Sequence, residues 1–175
     1  MNGNQPERVA VLVDHENVYY SARDFYGSRI DYKILIDYLV GSRKLVHASS
    51  YLVKHTEQGE AFLKVLRTLG VTPYVKNPSL FTSGKERHDW DMGIAIAAIL
   101  AAEHADTIVL VTGDGDFVPV VKYLQQNRDK RVEAASFRGS ASARLRSAVD
   151  KFYDLDLLGS VLLRQSNATG LAVAN

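Results

Sequence analysis

Residues 108–116, with the sequence IVLVTGDGD, combine a short apolar run with two aspartates that follow it directly. A nearly continuous apolar run of this length is typical of a strand buried on both faces, as the strands of a parallel sheet are. Asp114 ends the segment that begins with this run, and Asp116 stands two residues later. The apolar run Val9–Val13 near the start of the chain likewise ends in Asp14. The sequence therefore predicts two buried strands that each deliver an acid at the carboxyl end.

The rest of the chain alternates between strand and helix patterns. Further strands are predicted at 132–135, near 71–76 and near 152–155, and helical patterns cover residues 31–40, 57–69, 90–103, 117–126 and 142–149. This alternation is typical of an α/β fold with a single doubly wound, mostly parallel sheet and helices on both faces. With 175 residues and a 46% hydrophobic composition, we expect one domain over residues 1–165. The small, polar residues 166–175 are expected to form a disordered tail.

Composition excludes several classes of function. The chain has 21 Lys and Arg against 20 Asp and Glu, so its net charge of +1 provides no global field for attracting a phosphate backbone. There are no cysteines, which excludes disulfides and cysteine-bound zinc. No segment resembles a signal peptide or is apolar for the roughly 20 residues that span a bilayer. We therefore expect a soluble, cytoplasmic protein without membrane contact.

The acids at the strand ends predict a metal site. In an open parallel sheet, ligands gather outside the carboxyl ends of the strands, where the strand order reverses. If the first strand is central and the strand at 108–111 lies beside it, Asp14 and Asp114 share this edge, and Asp91 at the start of a helix enters the same crevice. Crowded carboxylates repel one another unless a cation compensates them. Oxygen ligands without Cys or clustered His favour Mg²⁺ or Mn²⁺, which activate a water for attack on a phosphodiester.

Each of these aspartates also has a purely structural interpretation. Asp14 would cap the following helix, and Asp91 would be a first-turn acid that the helix dipole favours. The Gly-Asp-Gly-Asp string at 113–116 is also good turn chemistry. What favours the site is that two separate apolar strands bring an acid to the same expected edge.

Four segments together resemble the NYN domain, a branch of the PIN-like nucleases that includes LabA-like bacterial proteins. They are VLVDHEN at 11–17, WDMGI at 90–94, VLVTGDGDF at 109–117 and residues 145–152. The resemblance extends from about residue 8 to residue 156 and implies a PIN-like, Rossmannoid three-layer fold. It implies a metal-dependent endoribonuclease acting on RNA, for which single-stranded RNA is our expected substrate. The implied catalytic residues are Asp14, Asn17, Asp91, Asp114 and Asp116, with the four aspartates as metal ligands and Asn17 supporting Asp14.

One position departs from this family pattern. Many relatives carry a further acid six residues after the helix-opening aspartate, where this chain has Ala97. A thinner carboxylate shell binds metal more weakly or holds fewer ions. A non-catalytic RNA-binding or regulatory module that retains part of the acidic site is therefore an alternative.

Basic residues near the predicted site are candidates for substrate binding. Lys85 and Arg87 precede Asp91, while Arg138 and Arg144 surround the last strand-to-helix turn. These side chains would contact the phosphates of RNA. The oligomeric state stays open, a homodimer included.

Two other protein classes share part of this sequence pattern. A haloacid-dehalogenase-like phosphatase also has a strand that ends in Asp and a later Gly-Asp-Gly-Asp, but it requires a second aspartate where this chain has Glu16. A Rossmann dinucleotide-binding domain requires a Gly-x-G-x-x-Gly loop after the first strand, where this chain has His15. The phosphatase remains an alternative to the ribonuclease.

Overall fold

The computed structural model describes residues 5–53, 59–76 and 90–165 as an α/β fold. In chain order, the strands are β1 (Arg8–Asp14), β2 (Ser28–Ile30), β3 (Lys44–Val53), β4 (Thr72–Lys76), β5 (Thr107–Val111), β6 (Arg131–Ser136), β7 (Lys151–Asp154) and β8 (Leu163–Gln165). The α-helices are α1 (His15–Tyr26), α2 (Tyr32–Val40), α3 (Glu60–Thr68), α4 (Asp91–Ala101), α5 (Val118–Arg128), α6 (Ala143–Ala148) and α7 (Gly159–Leu162). Short 3-10 helices cover Gly115–Phe117 and Leu155–Leu158.

Six parallel strands form the main sheet in the order β4-β3-β1-β5-β6-β7. Strands β3 and β4 lie on one side of β1. The chain then crosses back, and β5, β6 and β7 lie on the other side of β1. The strand order therefore reverses between β1 and β5, which is where an open α/β sheet binds its ligands. The predicted adjacency of the first strand and the strand at 108–111 is confirmed.

Helices cover both faces of the sheet, so the predicted three-layer α/β class is also confirmed. Alternate residues of a strand point to opposite faces, and β1 and β5 supply fully buried side chains to both layers. Those facing α1, α2, α3 and α7 are Val9, Val11, Val13, Val109 and Val111. Those facing α4, α5 and α6 are Ala10, Leu12, Ile108 and Leu110.

Strand β3 is the main element that the sequence patterns did not predict. Polar residues interrupt its apolar pattern, and these polar side chains are paired within the fold. Ser50 Oγ lies 3.1 Å from the hydroxyl oxygen of Tyr32, and Ser49 Oγ donates to Tyr51 Oη at 3.2 Å. Both serines are fully buried. Because hydrogen-bonded polar groups cost little to bury, a strand can occupy the sheet interior without an apolar run.

The other strands and helices that were predicted lie close to their predicted positions. The antiparallel pair of β2 and β8, which was not predicted, brings Ser28–Ile30 against Leu163–Gln165. The sequence also predicts a loop at 77–88, because Pro, Ser and Gly are frequent there. This segment and the predicted tail at 166–175 lie outside the described residues. Within the described part of the chain, no helix combines the length and apolar character that crossing a membrane requires.

Candidate functional site

Asp14 is the last residue of β1 and also the N-cap of α1, so its predicted capping role is confirmed. Its Oδ1 accepts a hydrogen bond from the backbone N–H of Asn17 at 3.2 Å. Its Oδ2 accepts a second from the hydroxyl of Thr112 at 3.1 Å. The carboxylate is thereby held at the point where the strand order reverses. Capping does not exclude a second role, because each carboxylate oxygen has a further lone pair.

Two cross-strand contacts join the ends of β1 and β5. Asn17 Oδ1 accepts from the backbone N–H of Gly113 at 2.9 Å. The Thr112 hydroxyl, which donates to Asp14, accepts from the backbone N–H of Asp114 at 3.2 Å. Asn17 was predicted to support Asp14 by hydrogen bonding. Its backbone N–H makes that bond, whereas its side chain bonds to the segment after β5. Sequence reasoning did not single out Thr112, although it directly follows the apolar run of that strand.

Asp114 and Asp116 lie beyond the end of β5. Asp114 Oδ1 accepts from the backbone N–H of Asp116 at 2.9 Å and caps the short helix at 115–117. Asp116 is exposed, and its carboxylate lies 3.6 Å from the guanidinium of Arg144. The structure thus brings Arg144, a predicted substrate-binding residue, to the rim that carries these two acids.

Asp91 is the first residue of α4, as predicted, and lies close enough to Asp14 to raise the pKa of that carboxyl. Burial raises the pKa of Asp14 to about 6, against hydrogen bonds from Asn17 and Thr112 that lower it. The negative charges of Asp91 and Glu16 are smaller causes of the same rise in the pKa. Glu16 itself accepts from the backbone N–H of Val53 at 3.2 Å, at the end of β3. Asp14 is therefore a carboxylate whose ionised form the surrounding protein disfavours.

Glycines allow close backbone approach beside these acids. A Cβ at Gly113 would lie 2.3 Å from the carbonyl oxygen of Ser140, and one at Gly115 would lie 2.6 Å from Ser142 Oγ. The backbone N–H of Ser142 donates to the Gly113 carbonyl at 2.7 Å. The loop between β6 and α6 therefore packs directly on the Gly-Asp-Gly segment. These contacts explain why glycines flank Asp114.

The four predicted metal ligands do not form one compact acidic group. Within residues 5–53, 59–76 and 90–165, no three His, Cys, Asp or Glu side chains are grouped so as to hold a metal ion. Of the other predicted substrate-binding residues, Arg138 is paired with Asp154 of β7, with contacts of 2.6 and 2.8 Å to the carboxylate. Lys85 and Arg87 lie outside the described residues.

The donors at this edge still fit one kind of cation. Mg²⁺ keeps several waters and is usually held by one or two carboxylates together with substrate phosphates, so it does not require a complete protein cage. Asp14 and the nearby Asp91 could supply those carboxylates. A cation there would also relieve the electrostatic cost that raises the pKa of Asp14.

Comparison with known proteins agrees with the fold. The chain is 26% identical over 167 residues to the low amplitude and bright protein LabA of Synechococcus elongatus, covering 90% of this chain and 89% of LabA. It is also similar to a crystal structure of a protein of unknown function from Vibrio parahaemolyticus, with a TM-score of 0.85 and 31% identity. That match covers 94% of this chain and 100% of the other. The family model of the NYN domain matches residues 8–156. The chain therefore belongs to the NYN domain family of the PIN-like nuclease superfamily.

Proposed function

We propose that this protein is a Mg²⁺- or Mn²⁺-dependent endoribonuclease acting on single-stranded RNA. The observation that carries the proposal is the position of Asp14. It lies at the reversal of strand order, beside the segment that bears Asp114, and burial raises its pKa to about 6. An acid whose pKa is strongly raised by its surroundings is common at functional sites.

Each residue of the candidate site would have its own role in the reaction. Asp14 and Asp91 would hold the cation, and Asp114 and Asp116 would complete its surroundings or position water. Asn17 would hold the segment after β5 against the end of β1 through its hydrogen bond from the backbone N–H of Gly113. When bound, the cation would lower the pKa of a water and stabilise charge on the phosphodiester. Arg144, whose guanidinium lies 3.6 Å from the Asp116 carboxylate, would contact a phosphate.

A second candidate is an RNA-binding or regulatory module that does not cut. It is favoured by one observation, that the described residues contain no group of three His, Cys, Asp or Glu side chains that could hold a metal ion. The family resemblance also implies a further acid where this chain has Ala97. The phosphatase alternative has less support, because the chain belongs to the NYN family and Glu16 is bonded to the backbone of β3.

The test uses a circular single-stranded RNA, which only an endonuclease can open. Purified protein should open it with Mn²⁺ or Mg²⁺ and not with EDTA. Asp14→Asn and Asp114→Asn should each lower the rate at least about 100-fold, as loss of an electrostatic catalytic group does. The matched control is Asp37→Asn on α2, whose carboxylate is exposed and paired with Lys33, and it should cleave at the wild-type rate.

The outcomes separate the two candidates. Full activity of Asp114→Asn, or equal cleavage in EDTA, would contradict the nuclease. RNA binding that survives chelation without any product would establish the non-catalytic module instead.

A further inference from the structure

A row of side chains crosses the sheet from the candidate site to its edge. Asp14 of β1 is in register with Tyr51 of β3, which is in register with Tyr74 of β4. Registered residues of parallel strands point to the same face, here the face covered by α4. Because neighbouring strands are about 4.8 Å apart, Tyr74 lies roughly 10 Å from Asp14 along this row.

The two tyrosines of the row differ sharply in exposure. Tyr51 is buried, with 3% of its surface exposed, whereas Tyr74 is 42% exposed. Their rings are stacked, with centroids 5.1 Å apart and planes 8° apart. β4 is the edge strand of the sheet. Since Tyr51 covers the side of the Tyr74 ring toward β3, the opposite side of that ring is directed beyond the sheet edge.

Trp90 and Lys76 complete an aromatic and cationic patch around Tyr74. Trp90 directly precedes Asp91, and its indole N–H donates to the backbone carbonyl of Leu52 at 2.8 Å, which fixes the ring. The Trp90 ring contacts the rings of Tyr51 and Tyr74 at centroid distances of 5.4 and 6.5 Å. The ammonium of Lys76 lies 4.3 Å from the Trp90 centroid. The patch therefore sets an ammonium group beside three aromatic rings that contact one another.

We propose that Tyr74 is a stacking platform for an unpaired base of single-stranded RNA, close to the phosphate at Asp14. This inference rests on the proposed function and names a substrate-binding residue for it. Sites for single strands combine aromatic rings with cations that follow the backbone. Here Tyr74 provides the ring and Lys76 the cation. A base in a duplex has both faces covered by its neighbours, so the platform selects unpaired RNA.

The same row explains why a ring is exposed here. Tyr51 already fills the space under α4, so Tyr74 adds little to the core. An exposed tyrosine that is pre-stacked on a buried one loses little conformational entropy when a base lands on it. The remaining face of Tyr74 is thus organised for a flat ligand.

The test measures RNA binding in EDTA, so that no cleavage occurs. The probe is fluorescein-labelled octauridylate, and a ribose-phosphate octamer without bases is the comparison ligand. Fluorescence anisotropy gives the affinity. Trp90 is the only tryptophan of the chain, so a change in tryptophan fluorescence reports whether unlabelled octauridylate binds beside it.

We expect Tyr74→Ala to weaken octauridylate binding about tenfold or more, the range for loss of one stacked base. Tyr74→Phe, which keeps the ring, should bind like the wild type. Tyr123→Ala is the matched control, because Tyr123 is 40% exposed on α5, away from this row. Binding of the base-free octamer should be weaker than that of octauridylate and indifferent to Tyr74→Ala.

Two results would overturn the platform: wild-type affinity of Tyr74→Ala for octauridylate, or no binding of octauridylate by the wild type. The circular-RNA assay distinguishes this failure from failure of the proposed function. Unchanged cleavage with unchanged Tyr74→Ala binding removes only the platform. Tyr74-dependent binding without metal-dependent cleavage removes only the nuclease.

Discussion

Two acids at opposite ends of the sheet have different surroundings. Glu133 lies toward the amino end of β6 with 2% of its surface exposed. Its carboxylate contacts Arg43 at 3.0 Å and Arg131 at 2.8 Å, and accepts from the Tyr153 hydroxyl at 3.0 Å. Burial raises the pKa of Glu133, but these partners outweigh burial and hold the pKa below its usual value.

Asp14, at the carboxyl end, has hydrogen bonds from Asn17 and Thr112, and its pKa is raised to about 6 by burial and by neighbouring acids. The same sheet thus provides full compensation for one acid and leaves the other incompletely stabilised. A buried charge that is fully paired has a structural role. A charge that is incompletely paired lowers the free energy of unfolding, and a bound ligand can compensate that charge. The contrast supports the proposed site at the carboxyl end of the sheet.

The largest effect is expected at the compensated acid. Glu133→Gln would leave Arg43, which is 14% exposed, with only its longer contact of 3.5 Å to Glu7 as a charge partner. Breaking a buried pair from one side typically costs about 3–5 kcal/mol of unfolding free energy. Urea unfolding would measure this loss, and Glu103→Gln at an exposed position is the control that should change little. A loss under about 1 kcal/mol for Glu133→Gln would contradict the described pairing.

The opposite sign is expected at the other acid. An acid whose pKa is higher in the folded state stabilises the protein below its unfolded pKa, near 3.8, and that contribution is lost as the pH rises through about 6. Asp14→Asn, which can still cap α1, should therefore stabilise the metal-free protein by about 3 kcal/mol at pH 7.5. The gain should vanish near pH 3.5.

Urea unfolding in EDTA across this pH range checks the prediction, with Asp37→Asn as the control. A gain that is the same at both pH values would show that Asp14 carries no such electrostatic cost. The Glu133 contribution has the reverse dependence: it is present above the usual glutamate pKa and is lost as the pH falls through the lowered folded value.

The carboxyl end should also be sensitive to backbone crowding. Gly113→Ala would place a Cβ 2.3 Å from a backbone oxygen of the β6–α6 loop. Such overpacking typically costs about 1–3 kcal/mol, and it should also lower RNA cleavage because the segment bearing Asp114 must shift. Gly59→Ala is the matched control, since a Cβ there meets no atom within 4 Å. Equal thermal stability of the two variants would refute the close packing.

The smallest effect is stabilisation by the cation itself. Mg²⁺ or Mn²⁺ at about ten times its dissociation constant should stabilise the wild type by about 1.4 kcal/mol. Asp14→Asn should lose most of this gain, whereas Glu103→Gln should keep it. Thermal unfolding with and without the ion measures the difference. An equal gain in Asp14→Asn would place the cation elsewhere on the protein.

Much of this architecture was predictable from local sequence, because apolar runs and capping residues act over a few positions. The runs ending at Asp14 and Asp114 predicted two buried neighbouring strands, and the capping role of Asp14 followed from its place before α1. Strand β3 was not predictable in this way. Its buried serines are tolerated only because Tyr32 and Tyr51 hydrogen-bond to them, and Tyr32 comes from a distant part of the chain.

The amino-acid sequence by itself determined the class of fold, the acids at the strand ends and the family motifs that surround them. Only the tertiary structure decided that Thr112 joins Asp14 to the backbone of Asp114, that Glu133 is fully paired, and that Tyr74 lies in a row with Asp14. Local patterns arise from the periodicity of one segment. Register and charge compensation depend on which segments become neighbours, and no single segment encodes that.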